Sequence, residues 1–254
     1  MTDTRTQILQ RLRSANTATA SVPGSEPASP SAATLTSAPT WPVRRFDWGP
    51  EELTDRFRRG IEAVRAEVHA VGDDWPRQLA ALLQARGARN LRYGPDGPLA
   101  PALIQGWPTA EGVPRLVPHD QPIEACRRAL FDDTDAGFTA CRAGIAETGS
   151  LVLWPTPAEP RLLSLVPPIH CVLLEADRIV STLHELMQRE GWAQRMPTNA
   201  LLISGPSKSA DIEQTLAYGV HGPAELIVLL RTTSAAGTGS APPATADTAR
   251  TAAC

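Results

Sequence analysis

An α/β fold built on a largely parallel sheet is the architecture the sequence predicts, and three observations predict it. Three short runs, HCVLLE, NALLISG and ELIVLLR, are apolar almost throughout instead of alternating, as strands covered on both faces are. Turn formers bound each run. Helical patterns at IVSTLHELMQRE and SADIEQTLAYGV separate them, and the order strand, helix, strand, helix, strand belongs to a parallel sheet flanked by helices. Ligands on such sheets usually sit at the C-terminal edge of the strands.

From the N-terminus, TRTQILQRLRSA places Ile8, Leu9 and Leu12 on one side of a short helix within residues 1–15, readable as a docking arm or as a frayed terminus. Residues 16–43 are rich in Ala, Ser, Thr and Pro, a composition that buries too little apolar surface to offset chain entropy, and read as a disordered linker. The tail 232–254 has the same character, which leaves a folded unit at 44–231. Within it, Leu53, Phe57, Ile61, Val64, Val68 and Val71 recur at steps of three and four and predict one amphipathic helix starting near Pro50. A second helix runs from Trp75 to Ala85 and stops at Gly87. NLRYG reads as a strand and PIEACRRAL as a third helix. AGFTACRAGIAETGSLVLW then passes from a strand through Gly144 and Gly149 into an apolar strand at Leu151 to Trp154.

Composition narrows the function. The chain has 254 residues, is 42% apolar and carries a formal net charge of −3, so no general electrostatic attraction to nucleic acid or anionic lipid is present. No apolar stretch is long enough to span a bilayer, and no secretory leader is evident, so a cytoplasmic location is expected. Cys126, Cys141, Cys171 and Cys254 form no C-x-x-C pair, and no acid and histidine spacing suits a metal.

Three constellations can carry chemistry. In ISGPSKSADIE, Lys208 is the single lysine of the chain, set between Ser207 and Ser209 on the expected path from a strand into a helix. Either serine can cap that helix, Asp211 and Glu213 favour its positive end, and free N–H groups with two hydroxyls and a lysine can hold a small anion. Ordinary capping accounts for the same residues, and the spacing is not that of a Walker A loop. In GIAETGSLVL, Glu147 lies on a turn bounded by Gly144 and Gly149; it can act as base, nucleophile or partner to a cation, or simply bond nearby backbone N–H groups. In RLLSLVPPIHCVLL, Pro167 and Pro168 force an extended entry that places His170 near the start of a strand, as a proton carrier or as a structural histidine. His221 in YGVHGP admits the same two readings.

Taken in order, GIAETGSLVL, RLLSLVPPIHCVLL and LISGPSKSADIEQTLAYGVHGPAELIVLL resemble the LUD-domain family, specifically its lactate utilization C group. The resemblance implies a fold similar to the NagB/RpiA/CoA-transferase-like group. It implies an accessory role in oxidising L-lactate to pyruvate, beside partner proteins that hold the iron–sulfur clusters, with no cofactor in this chain. The candidate ligand-binding positions are Thr148, Gly149, Ser204 and Gly205, with Ser207, Lys208 and Ser209. Ser164, His170, Asp211, Glu213 and His221 are further motif positions. Two classes of function stay open: an accessory component that binds a small anionic ligand or a partner, and an acyl- or CoA-transfer enzyme that uses Glu147.

Overall fold

The computed structural model describes residues 44–210 and 216–232. The expected N-terminal helix, the linker, all of the tail beyond Thr232, and Asp211 and Glu213 lie outside the described residues. Helices are α1 (Pro50–Glu62), α2 (Trp75–Ala85), α3 (Ala100–Gly106), α4 (Ile123–Asp132), α5 (Leu162–Leu165) and α6 (Leu183–Arg189). Strands are β1 (Glu67–Val71), β2 (Asn90–Tyr93), β3 (Arg115–Pro118), β4 (Ala136–Ala140), β5 (Ala143–Ile145), β6 (Ser150–Leu153), β7 (Ile169–Glu175), β8 (Ile179–Val180), β9 (Leu201–Ile203), β10 (Lys208–Ala210), β11 (Leu216–Tyr218) and β12 (Glu225–Arg231).

Six strands form an all-parallel sheet in the order β1-β12-β7-β4-β2-β3. The apolar runs of β7 and β12 are continuous because both faces are covered. Cys171, Leu173, Ile227 and Leu229 meet Trp75, Leu79 and Leu83 of α2 in one core. Val172, Leu174, Val228 and Leu230 meet Phe57 and Ile61 of α1 in the other. Trp75 stacks on Phe138 of β4 at 5.2 Å between ring centroids. A second sheet, β8-β5-β6-β9, places Leu151 and Leu153 in the α1 core, and Ile145 and Val152 on its opposite face against Leu186 of α6 and Trp192.

Three elements differ from the sequence expectation. NALLISG, expected as a strand of the parallel sheet covered on both faces, is β9, a partly exposed edge strand that pairs antiparallel with β6 in the second sheet because that sheet, not the parallel one, receives it. The helix begun at Pro50 ends at Glu62, Arg65 adopts a left-handed φ of 73°, and the chain re-enters as β1. Val68 and Val71, three apart, fit a helical stripe, but on a strand they face opposite sides and both are buried. Lys208–Ala210 and Leu216–Tyr218, expected at the start and in the body of a helix, are strands instead: β10 pairs antiparallel with β11, Lys208 opposite Tyr218. Backbone bonds from Ser207 N to Pro223 O at 2.8 Å and from Gly219 N to Ser207 O at 3.0 Å fix the base of this hairpin.

Candidate functional site

The motif residues meet where α1 ends. Gly149 closes the turn between β5 and β6 with φ 60°, and a Cβ there would lie 2.5 Å from the backbone of Gly60 and Ile61. Only glycine permits both this conformation and this approach. A Cβ on Gly205 would lie 3.0 Å from Val64, so the same helix end also receives the chain leaving β9. Pairing of β6 with β9 then joins hydroxyls 54 residues apart: Thr148 Oγ1 lies 2.7 Å from Ser150 Oγ, which lies 2.7 Å from Ser204 Oγ. Glu147 donates its backbone N–H to Ser181 O at 3.0 Å, and its carboxylate pairs with Arg44 Nη1 at 3.0 Å. The structure therefore gathers Glu147, Thr148, Gly149, Ser204 and Gly205.

Ser207, Lys208 and Ser209 stand on a different feature from the one their sequence implies. Because β9 belongs to the second sheet, the turn that leaves it reaches Pro223, just ahead of β12, and therefore the N-terminal edge of the parallel sheet. Neither a helix N-terminus nor the sheet's C-terminal edge is present at Lys208. Beside this hairpin is a cavity of about 240 Å³ lined by Arg65, Glu67, Pro206, Tyr218 and Glu225. Glu67 and Glu225, the first residues of β1 and β12, share Arg86, whose Nε donates to Glu225 at 2.7 Å and whose Nη2 donates to Glu67. Burial works against the Arg86 charge, but the two carboxylates hold its pKa above the ordinary value. Arg65 lies 4.5 Å from the Tyr218 ring centroid and makes no ion pair among the described residues. His221 is exposed on the loop between β11 and β12.

Ser164 and His170 belong elsewhere. Ser164 is buried in α5 and donates to Arg161 O at 2.9 Å. His170, second residue of β7 as its prolines imply, is 1% exposed, and its Nε2 lies 2.9 Å from Thr139 Oγ1. Desolvation lowers its pKa to about 3, so the imidazole is neutral at physiological pH. Its Nδ1 has no hydrogen-bond partner. Cys141 is pushed up to about 12 by burial and Cys171 also upward, so neither is a thiolate at neutral pH. Among the described residues no cluster of three or more His, Cys, Asp or Glu side chains can hold a metal, and no helix is long and apolar enough to cross a membrane.

Sequence reasoning missed Arg65, Tyr218 and Thr139. Arg65 gave no signal because a left-handed arginine has no sequence signature, whereas Thr139 stands in a strand that was legible and becomes notable only beside His170.

Comparison with known proteins agrees with this architecture. The LUD domain family model matches residues 54–230. A protein named lactate utilization protein C 1 from Bacillus mycoides is 36% identical over 197 residues, covering 73% of this chain and 81% of its own. Lactate utilization protein C from an Exiguobacterium species is 34% identical over 189 residues, 71% of this chain and 78% of its own. An uncharacterized protein from Neisseria meningitidis serogroup B is 35% identical over 188 residues, 72% of this chain and 78% of its own. A crystal structure of a DUF162 family protein from Deinococcus radiodurans shares the fold, with a TM-score of 0.52 at 23% identity over 72% of this chain and 99% of that one. With the family match running from the first turns of α1 to the penultimate residue of β12, through both sheets and every gathered motif, the chain belongs to the LUD-domain family.

Proposed function

We propose that this chain is an accessory component of a lactate utilization system, acting in the cytoplasm beside iron–sulfur proteins that carry electrons away as L-lactate becomes pyruvate. One observation carries the reading: relatives named lactate utilization protein C are 34–36% identical to it over more than two thirds of its length. The geometry is compatible with a binding role. The cavity beside the β10–β11 hairpin offers the Arg65 guanidinium against Tyr218, and Arg86 offsets one of the two negative charges of Glu67 and Glu225, so Arg65 is the one lining cation that a small anion or a partner's carboxylate can meet.

The alternative, acyl or CoA transfer through Glu147, has less support. Its carboxylate is paired with Arg44, and the adjoining hydroxyls of Thr148, Ser150 and Ser204 bond to one another. Co-purification tests the accessory reading. A tagged form of the chain, expressed with the iron–sulfur proteins of a lactate utilization system, is expected to co-elute with them, and Arg65→Gln to weaken that association or anion binding. Clean separation of the chain from those proteins at micromolar concentrations would argue against it.

A further inference from the structure

Part of the C-terminal edge of the parallel sheet, where such sheets present free strand-end amides to ligands, is covered by the chain itself at the ends of β2 and β4. The segment from Trp154 to Arg161 leads from β6 to α5 across the ends of β2 and β4, and Pro155, Pro157 and Pro160 restrict its backbone. It lies close: a Cβ on Gly94 would be 1.9 Å from Ala158 O, and a Cβ on Gly97 would be 2.5 Å from Glu159 Oε1. Beneath it is a cavity of about 10 Å³, room for about one water. Thr139, Ala140, Glu159, Arg161 and Ser164 line it.

Glu159 is poorly compensated there. Its Oε2 accepts one hydrogen bond, from Ala140 N at 3.2 Å, and it makes no ion pair among the described residues. Desolvation raises its pKa above the usual carboxylate value, with the Ala140 N–H opposing. A carboxylate has about four lone-pair sites to satisfy, so this one fills the space while using only the Ala140 N–H among the donors around it.

Those donors suit a second carboxylate. Ala140 supplies its N–H, and Arg161, which lines the cavity, carries an exposed guanidinium that makes no ion pair among the described residues. Thr139 supplies a hydroxyl whose proton is set by His170. The neutral imidazole carries one N–H, and placing it on Nδ1 would bury an unpaired donor, which folded proteins avoid more strictly than an unpaired acceptor. The proton therefore sits on Nε2 and is donated to Thr139 Oγ1, leaving the threonine O–H free to donate into the cavity. Ser164 is not available, because its proton is donated to Arg161 O.

We propose that the end of β4 is a binding site for a small monocarboxylate, received by Ala140 N–H, Thr139 O–H and Arg161, and filled by the Glu159 side chain until a ligand displaces it. The proposal stands on the sheet edge alone and holds whether or not the lactate-system reading does.

The test is an acetate titration of the full chain followed at the Ala140 backbone amide by NMR, with sodium chloride at matched ionic strength as control. The wild-type chain is expected to show a saturable shift with acetate and none with chloride. Glu159→Ala, which no longer has its own carboxylate to displace, is expected to bind at least about tenfold tighter, the worth of one charge-assisted hydrogen bond. Thr139→Val and Arg161→Gln are each expected to weaken wild-type binding by about tenfold. Arg161 is exposed, so its variant remains readable if the threonine variant fails to fold. A wild-type Ala140 amide that does not respond to acetate, an equal response to chloride, or binding that Arg161→Gln leaves unchanged would each overturn the proposal.

Discussion

Glu147 is the residue on which an enzymatic role would depend, and its surroundings make a direct prediction. The Arg44 pair is exposed on the arginine side and is worth at most about 1 kcal/mol. Glu147→Gln is therefore expected to change the denaturation midpoint little and to leave lactate-dependent activity of the reconstituted system intact. Loss of turnover in a folded Glu147→Gln protein would instead favour the transferase reading. His170 makes a different prediction, about pH. Its folded-state pKa, near 3, lies below the unfolded value of about 6.5, so the unfolded chain binds the extra proton in that window. The stabilisation is complete above pH 6.5 and falls by about 1.4 kcal/mol per pH unit as pH drops toward 3. Denaturant unfolding of His170→Gln beside wild type should show a shallower acid limb in the variant; parallel limbs would mean that His170 is not held neutral. Both residues were visible in the sequence, but the partners that define them were not, since Arg44 is 103 positions from Glu147 and Thr139 is 31 from His170.

Elements were legible where a single pattern had a single solution. β7 and β12 are continuous apolar runs between turn formers and lie inside the parallel sheet, whereas NALLISG, a run of the same kind, is β9 at the edge of the second sheet, which its local sequence did not distinguish. The α1–β1 junction was not legible, because Val68 and Val71 satisfy a helical period and also the two faces of a covered strand. The β10–β11 hairpin was not legible either: serine caps and early acids favour a helix locally, and the tertiary bonds of Ser207 to Pro223 and Gly219 override them. The candidate site depends on the same kind of information, since the hydroxyl chain from Thr148 to Ser204 exists only because β6 pairs with β9. The packing of the β5–β6 turn on α1 can be tested with two glycines. Gly87 has φ 70° and open space at its Cβ, so Gly87→Ala should cost only the left-handed backbone term, about 1–2 kcal/mol. Gly149 has φ 60° and adds contact with the α1 backbone, so Gly149→Ala should cost about 3 kcal/mol or more. Equal losses in chemical denaturation would mean that the turn does not press on the helix.

For the molecule as a whole, the parallel sheet and its covering layers give two distinct edges. The motifs around Glu147 and Lys208 collect at the end of α1 and beside the N-terminal edge, whereas Ser164 of the third motif lines the cavity at the end of β4, where residues 154–161 cover part of the C-terminal edge. The parallel class could be read from the alternation of elements, whereas the strand order β1-β12-β7-β4-β2-β3 and the second sheet rest on long-range pairing with no local signature. Burial holds the thiols Cys141 and Cys171, one on each side of the parallel sheet's core, protonated. The accessory role in lactate oxidation proposed for this chain depends on its raising the rate of the whole system. It is tested most directly by reconstituting the iron–sulfur proteins of the system with and without this chain and following reduction of an electron-accepting dye on addition of L-lactate. The rate is expected to rise with added chain and saturate near equimolar ratio, and a rate the same in its absence would rule the accessory role out.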